Sequence, residues 1–108
     1  MERTQEERKA IAGEILNQLG GNKFRAMTGA KDFYAHDSGL GFRLPGGGGF
    51  CRNGINFIKI TLTSLDLYNM EFKRIRGTKI TDVAKHDGIY NDMLQGIFTK
   101  ETGLDTYL

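Results

Sequence analysis

A chain of 108 residues with 39% hydrophobic content has the length and apolar share of one globular domain, and is too apolar to remain disordered. No apolar run approaches the ~18 residues that a membrane span needs, and the charged start Met1-Glu2-Arg3-Thr4-Gln5-Glu6-Glu7 carries no apolar signal core. Cys51 is the only cysteine, which excludes an intramolecular disulfide and points to a cytoplasmic setting, while a formal charge of +2 permits nucleic-acid contact without demanding it.

The first predicted element is a helix over residues 4–19. Thr4 and Glu7 have the spacing of a capping box, and Ile11, Ile15 and Leu19, with Leu16 beside them, form one apolar stripe. Gly20-Gly21 is read as its end. This stripe suits packing on a sheet; a partner-binding helix is the sharper alternative. Phe24, Ala26 and Thr28 then alternate with Lys23, Arg25 and Met27, which predicts a short strand or an extended lead-in. Asp32-Phe33-Tyr34-Ala35-His36 reads as a strand, Asp37-Ser38-Gly39 as a turn, and Leu40, Phe42 and Leu44 as the return strand of a hairpin.

Pro45 to Gly54 holds four consecutive glycines and is read as a flexible loop. It lacks the Gly-Lys-Ser/Thr ending of a phosphate-binding loop, and a strand rather than a helix follows. The runs at 55–63 and 67–75 alternate in period two on either side of Ser64-Leu65-Asp66-Leu67, the pattern of paired antiparallel strands. Ile58, Ile60 and Leu62, and across from them Tyr68, Met70 and Phe72, are assigned to the dry face. Phe57, Lys59, Thr61 and Thr63 point the other way, with Lys59 opposite Glu71. Lys79 to Ala84 suggests one more short strand. His86-Asp87-Gly88 is read as the opening of a last helix over 88–101, capped by Asp87, with Ile89, Tyr90, Met93, Leu94, Ile97 and Phe98 as its apolar face and Thr102-Gly103 as its stop. The fold class expected is α+β: a single domain, 1–108, with an antiparallel sheet of four to five strands flanked by an N-terminal and a C-terminal helix packed on one face.

No constellation for catalysis emerges. His36 and His86 have no metal-ligand neighbours at useful spacing, a lone Cys51 cannot complete a zinc site, and Asp66 and Asp87 are better explained as turn and cap residues than as an acid–base pair. The expectation is therefore a protein that is not an enzyme and needs neither cofactor nor metal. The cations are unevenly spread. Between residues 23 and 79 ten basic residues stand against four acidic ones, a local excess of six positive charges. If the outer sheet face and its turns gather them, a patch for nucleic acid results, on which Phe57 would stack a base; the plainer reading is a solvated face. The residues expected to bind a partner are Arg43, Arg52, Phe57, Arg74 and Arg76, because arginine offers planar multidentate donors and the glycine-rich loop adapts to a surface.

Met27-Thr28-Gly29-Ala30-Lys31-Asp32-Phe33, Gly54-Ile55-Asn56 leading into Ile60-Thr61-Leu62, Asp66-Leu67-Tyr68 with Met70-Glu71-Phe72, and Gly88-Ile89-Tyr90 with Leu94, Phe98 and Thr102-Gly103-Leu104 together resemble a group of small proteins encoded by bacteriophages, plasmids and other bacterial mobile elements. The resemblance spans residues 27–108 and brings no functional residues with it. It implies a small accessory protein acting in the cytoplasm of a bacterial host. Its partner would be a host protein or nucleoprotein complex, as for inhibitors of defence systems such as CRISPR–Cas. A nucleic-acid-binding accessory protein is the alternative, and neither reading involves a membrane.

Overall fold

The computed structural model describes residues 4–36, 38–45 and 54–104. Its element order is α1 (Gln5–Leu19), α2 (Gly21–Thr28), β1 (Lys31–His36), β2 (Gly39–Arg43), β3 (Phe57–Leu62), β4 (Tyr68–Arg76), β5 (Lys79–Ile89), a 3₁₀ turn (Asn91–Met93) and α3 (Leu94–Thr102). The five strands form one antiparallel sheet in the order β1-β2-β3-β4-β5. This is the α+β class expected, with one helix more than the alternation suggested. Among the described residues no helix is long and apolar enough to cross a membrane.

Local chemistry sets α1. The Thr4 hydroxyl accepts from the Glu7 amide at 3.1 Å, and the Glu7 carboxylate accepts from the Thr4 amide at 3.2 Å, so two otherwise orphaned donors are satisfied reciprocally. Ala12, Ile15 and Leu19 are buried on its inner side. Residues 21–28 are a helix, not the extended segment expected. The reason is that only Phe24 and Thr28 are buried, a spacing of four that a helix can satisfy and a strand would not need. The Thr28 hydroxyl donates to the Phe24 carbonyl at 2.7 Å within that turn.

The last helix also begins later than the sequence indicated. Asp87-Gly88 is not a cap but a β-bulge. Tyr68 pairs with Ile89 and Met70 with His86, so Asn69 faces two residues on β5. Gly88 takes φ +66° there and donates its amide to Asn69 Oδ1 at 3.1 Å. The strand read as ending at Ala84 therefore runs on to Ile89, and a second irregularity between the Phe72 and Lys73 pairings bends it further. Helical structure resumes only at Asn91. As a consequence Tyr90 and Met93, expected on the buried helix face, are 62% and 46% exposed. The stop at Gly103 is as expected: φ is +80°, its amide donates to Thr99 at 2.8 Å, and Leu104 packs back on the core.

The three helices share one side of the sheet with Leu40, Phe42, Ile58, Ile60, Met70 and Phe72. Their common core contains Ile15, Leu19, Phe24, Leu94 and Phe98, all fully buried. Phe24 is its hub, meeting Phe42 edge-on at 5.4 Å and Phe98 at 5.0 Å. Gln95 Nε2 donates to the Leu19 carbonyl at 2.9 Å, tying α3 to the end of α1. The dry-face assignment holds for both central strands, with Leu62 and Ile97 only partly buried.

Candidate functional site

With all helices on one side, the other face of the sheet carries the alternate residues. They fall into rows set by the strand register. One row runs Tyr34, Gly41, Lys59, Glu71, Lys85; the next runs Arg43, Phe57, Lys73, Asp82. Lys59 does stand opposite Glu71, yet it is Lys73 whose ammonium lies 3.7 Å from the Glu71 carboxylate and 3.3 Å from that of Asp82.

Two side chains from the edge strand β1 lie across the glycines of β2. A Cβ built on Gly41 would collide with the Cε1, Cζ and hydroxyl of Tyr34, so the ring rests directly on that glycine backbone. Its centroid is 6.2 Å from that of Phe57 at an interplanar angle of 25°, so the two rings are close and nearly parallel. Tyr34 remains 43% exposed. Burial is the main cause that raises its phenol above the ordinary value; Lys73 opposes the shift and Glu71 adds to it. His36 lies at 6.3 Å from the Tyr34 ring. Its Nε2 donates to the Ile60 carbonyl at 3.0 Å and its Nδ1 accepts from the Ser38 amide at 3.4 Å, and these bonds hold the ring in place across Gly39.

One end of the sheet is strongly basic. There Asn56 acts as a clamp: Nδ2 donates to the Ile75 carbonyl and Oδ1 accepts from the Ile75 amide, both at 2.8 Å, while its own amide donates to Lys73 at 3.0 Å. This holds Gly54 against β4, where a Cβ would stand 3.0 Å from Cδ of Arg74. A pocket of about 220 Å³ beside it is lined by Arg74, Arg76, Lys79 and Thr81. A second, of about 240 Å³, is lined by Lys31, Arg43, Leu44, Asn56, Ile75 and Gly77. Arg76 through Ile80 are exposed whichever side they point to, so this hairpin tip projects into solvent. At the opposite end the buried Tyr68 phenol is raised first by burial and then by Glu14 and Asp66.

Of the sequence-predicted contact residues, the four that the structure describes, Arg43, Phe57, Arg74 and Arg76, are gathered at one end but not on one face. Arg43 and Phe57 are register partners on the helix-free side. Alternation along β4 puts Arg74 and Arg76 on the side of Met70 and Phe72, which corrects the expectation of a single basic sheet face. Arg52 and Cys51 lie outside the described residues. Sequence reasoning missed Tyr34 as a site residue, although aromatics at 34 and 36 opposite glycines at 41 and 39 are a readable cross-strand signal. His86 is accounted for by Glu101, with Nε2 3.6 Å from Oε1, and by an edge contact with Phe72. Asp66 is a turn residue as expected, at φ +60°, with its amide donating to Thr63. Asp87 lies in β5 with Lys85 Nζ at 3.9 Å. Among the described residues no group of three or more His, Cys, Asp or Glu is placed to hold a metal ion. No protein-family model, curated protein or solved structure matches the chain.

Proposed function

We propose that the protein is a non-enzymatic binding protein that docks its basic end on an acidic surface of a host macromolecule. The observation that carries this reading is the convergence of Lys31, Arg43, Arg74, Arg76 and Lys79 around the Asn56 clamp, from both sides of one sheet end. Glu71 and Asp82 of the adjoining strands are already engaged by Lys73, at 3.7 Å and 3.3 Å. Such a concentration of guanidinium and ammonium groups steers and orients an anionic partner, and arginine adds multidentate hydrogen bonding to carboxylate or phosphate. The resemblance to phage and mobile-element proteins supports a bacterial host protein or nucleoprotein complex as that partner, with inhibition of a defence system such as CRISPR–Cas as the outcome of binding.

Retention on heparin tests the electrostatic part. The variant carrying Arg43→Glu, Arg74→Glu and Arg76→Glu should elute at much lower salt than the parent while melting at a similar temperature. Undiminished retention would move the contact surface elsewhere. Plaque counts test the biological part: expression in a bacterium with active CRISPR–Cas interference should restore plating of a targeted phage, and the triple variant should not.

A further inference from the structure

The helix-free face carries a feature that a purely electrostatic contact does not require. We propose that Tyr34 and Phe57 are a stacking floor for unpaired nucleobases, so that the acidic partner is, or displays, a single-stranded nucleic acid. This rests on the reading of the basic end as a docking surface and names the partner's chemistry. The two rings are nearly parallel, with their centroids 6.2 Å apart and their planes within 25°, and they stand on the side of the sheet that no helix covers. Tyr34 keeps that attitude because Gly41 beneath it has no side chain to lift it, and it is 43% exposed.

Charge complementarity selects the occupant. Arg43 is the register partner of Phe57, and Lys59 is the register partner of Gly41, the residue under the Tyr34 ring. The carboxylates in these rows, Glu71 and Asp82, have Lys73 at 3.7 Å and 3.3 Å. A base stacked on the floor would therefore have cations on its backbone side, and the strand could continue past Arg43 to the basic end. Base–aromatic stacking with a cationic groove is the recurring solution for single strands. A duplex hides its base faces and would gain only from the cations.

The test is fluorescence anisotropy with a labelled single strand of about 12 nucleotides, as DNA and as RNA, beside a blunt duplex of equal length. Single-strand binding should exceed duplex binding. Phe57→Ala and Tyr34→Leu should each weaken it about tenfold or more. Leucine still covers Gly41 with apolar atoms, so it separates stacking from support of the glycine, and Tyr34→Trp should retain binding. Circular dichroism and melting of each variant confirm that the fold is kept. Equal binding of duplex and single strand overturns the proposal, as does wild-type affinity in both Phe57→Ala and Tyr34→Leu. If no oligonucleotide binds, while the triple charge variant still loses heparin retention and plaque rescue, this inference falls and the broader reading stands.

Discussion

The two faces of this sheet use the same kinds of residue to opposite ends. On the covered face Phe24, Phe42 and Phe98 meet edge-on at 5.0–5.4 Å around Phe24, with no exposure at any of the three. On the helix-free face Tyr34 and Phe57 are nearly parallel at 6.2 Å, with Gly41 beneath Tyr34 and Arg43 and Lys59 as register neighbours. Aromatic content therefore says little about role. What distinguishes core from contact surface is whether a third layer closes over the rings. Here α1, α2 and α3 close over one side only.

The largest effect that probes this contrast is truncation of one ring on each face. Phe98→Ala should cost about 3–5 kcal/mol, since a fully buried ring leaves a cavity at the meeting point of Phe24 and Phe42. Phe57→Ala, on a half-buried ring, should cost about 1 kcal/mol or less. Urea denaturation measures both. Similar losses would erase the distinction between the faces.

Asn56→Ala comes next. It strips two 2.8 Å hydrogen bonds from the Ile75 backbone at the basic end and should cost about 1–3 kcal/mol by the same measurement. Because the clamp also seats Gly54 beside Arg74, heparin retention should fall with it, whereas Phe98→Ala should leave the retention of its folded fraction unchanged.

A smaller loss, about 1 kcal/mol, is expected for Gly41→Ala, whose methyl must push the Tyr34 ring off the sheet. In a Tyr34→Ala background the same substitution should cost almost nothing. A double-mutant cycle that showed no coupling would mean that the ring does not rest on Gly41 in solution.

The subtlest expectation is an alkaline one. Burial, then Glu14 and Asp66, raise the Tyr68 phenol above its ordinary 10.0. The folded chain thus keeps a proton that the unfolded chain releases near pH 10. The associated stability is complete below that pH and is lost as pH rises through the raised value. The denaturation midpoint should fall above pH 10, and less steeply in Tyr68→Phe. An unchanged slope would place the responsible phenol elsewhere, with Tyr34 on the open face as the next candidate.

Elements specified by neighbours in the chain were legible in the sequence. The capping box opens α1, Gly103 closes α3, and the alternation of 57–62 and 68–76 set both the pairing and the dry side. Alternation also contained the split of the arginines, since Arg74 and Arg76 share parity with Phe72 while Arg43 and Phe57 share the other side. Tertiary contacts decided the rest. Residues 21–28 became helical because Phe24 and Thr28 alone reach the core. Asp87-Gly88, whose local chemistry suits a helix cap, became a bulge because Asn69 on β4 takes the Gly88 amide. Turn and cap chemistry is ambiguous within a few residues, and a strand partner nineteen positions away resolves it. The candidate site is of that second kind. The sequence marked the basic residues and Phe57, but only the sheet register brings Tyr34 over Gly41 near Phe57 and places the cations of both faces at one end.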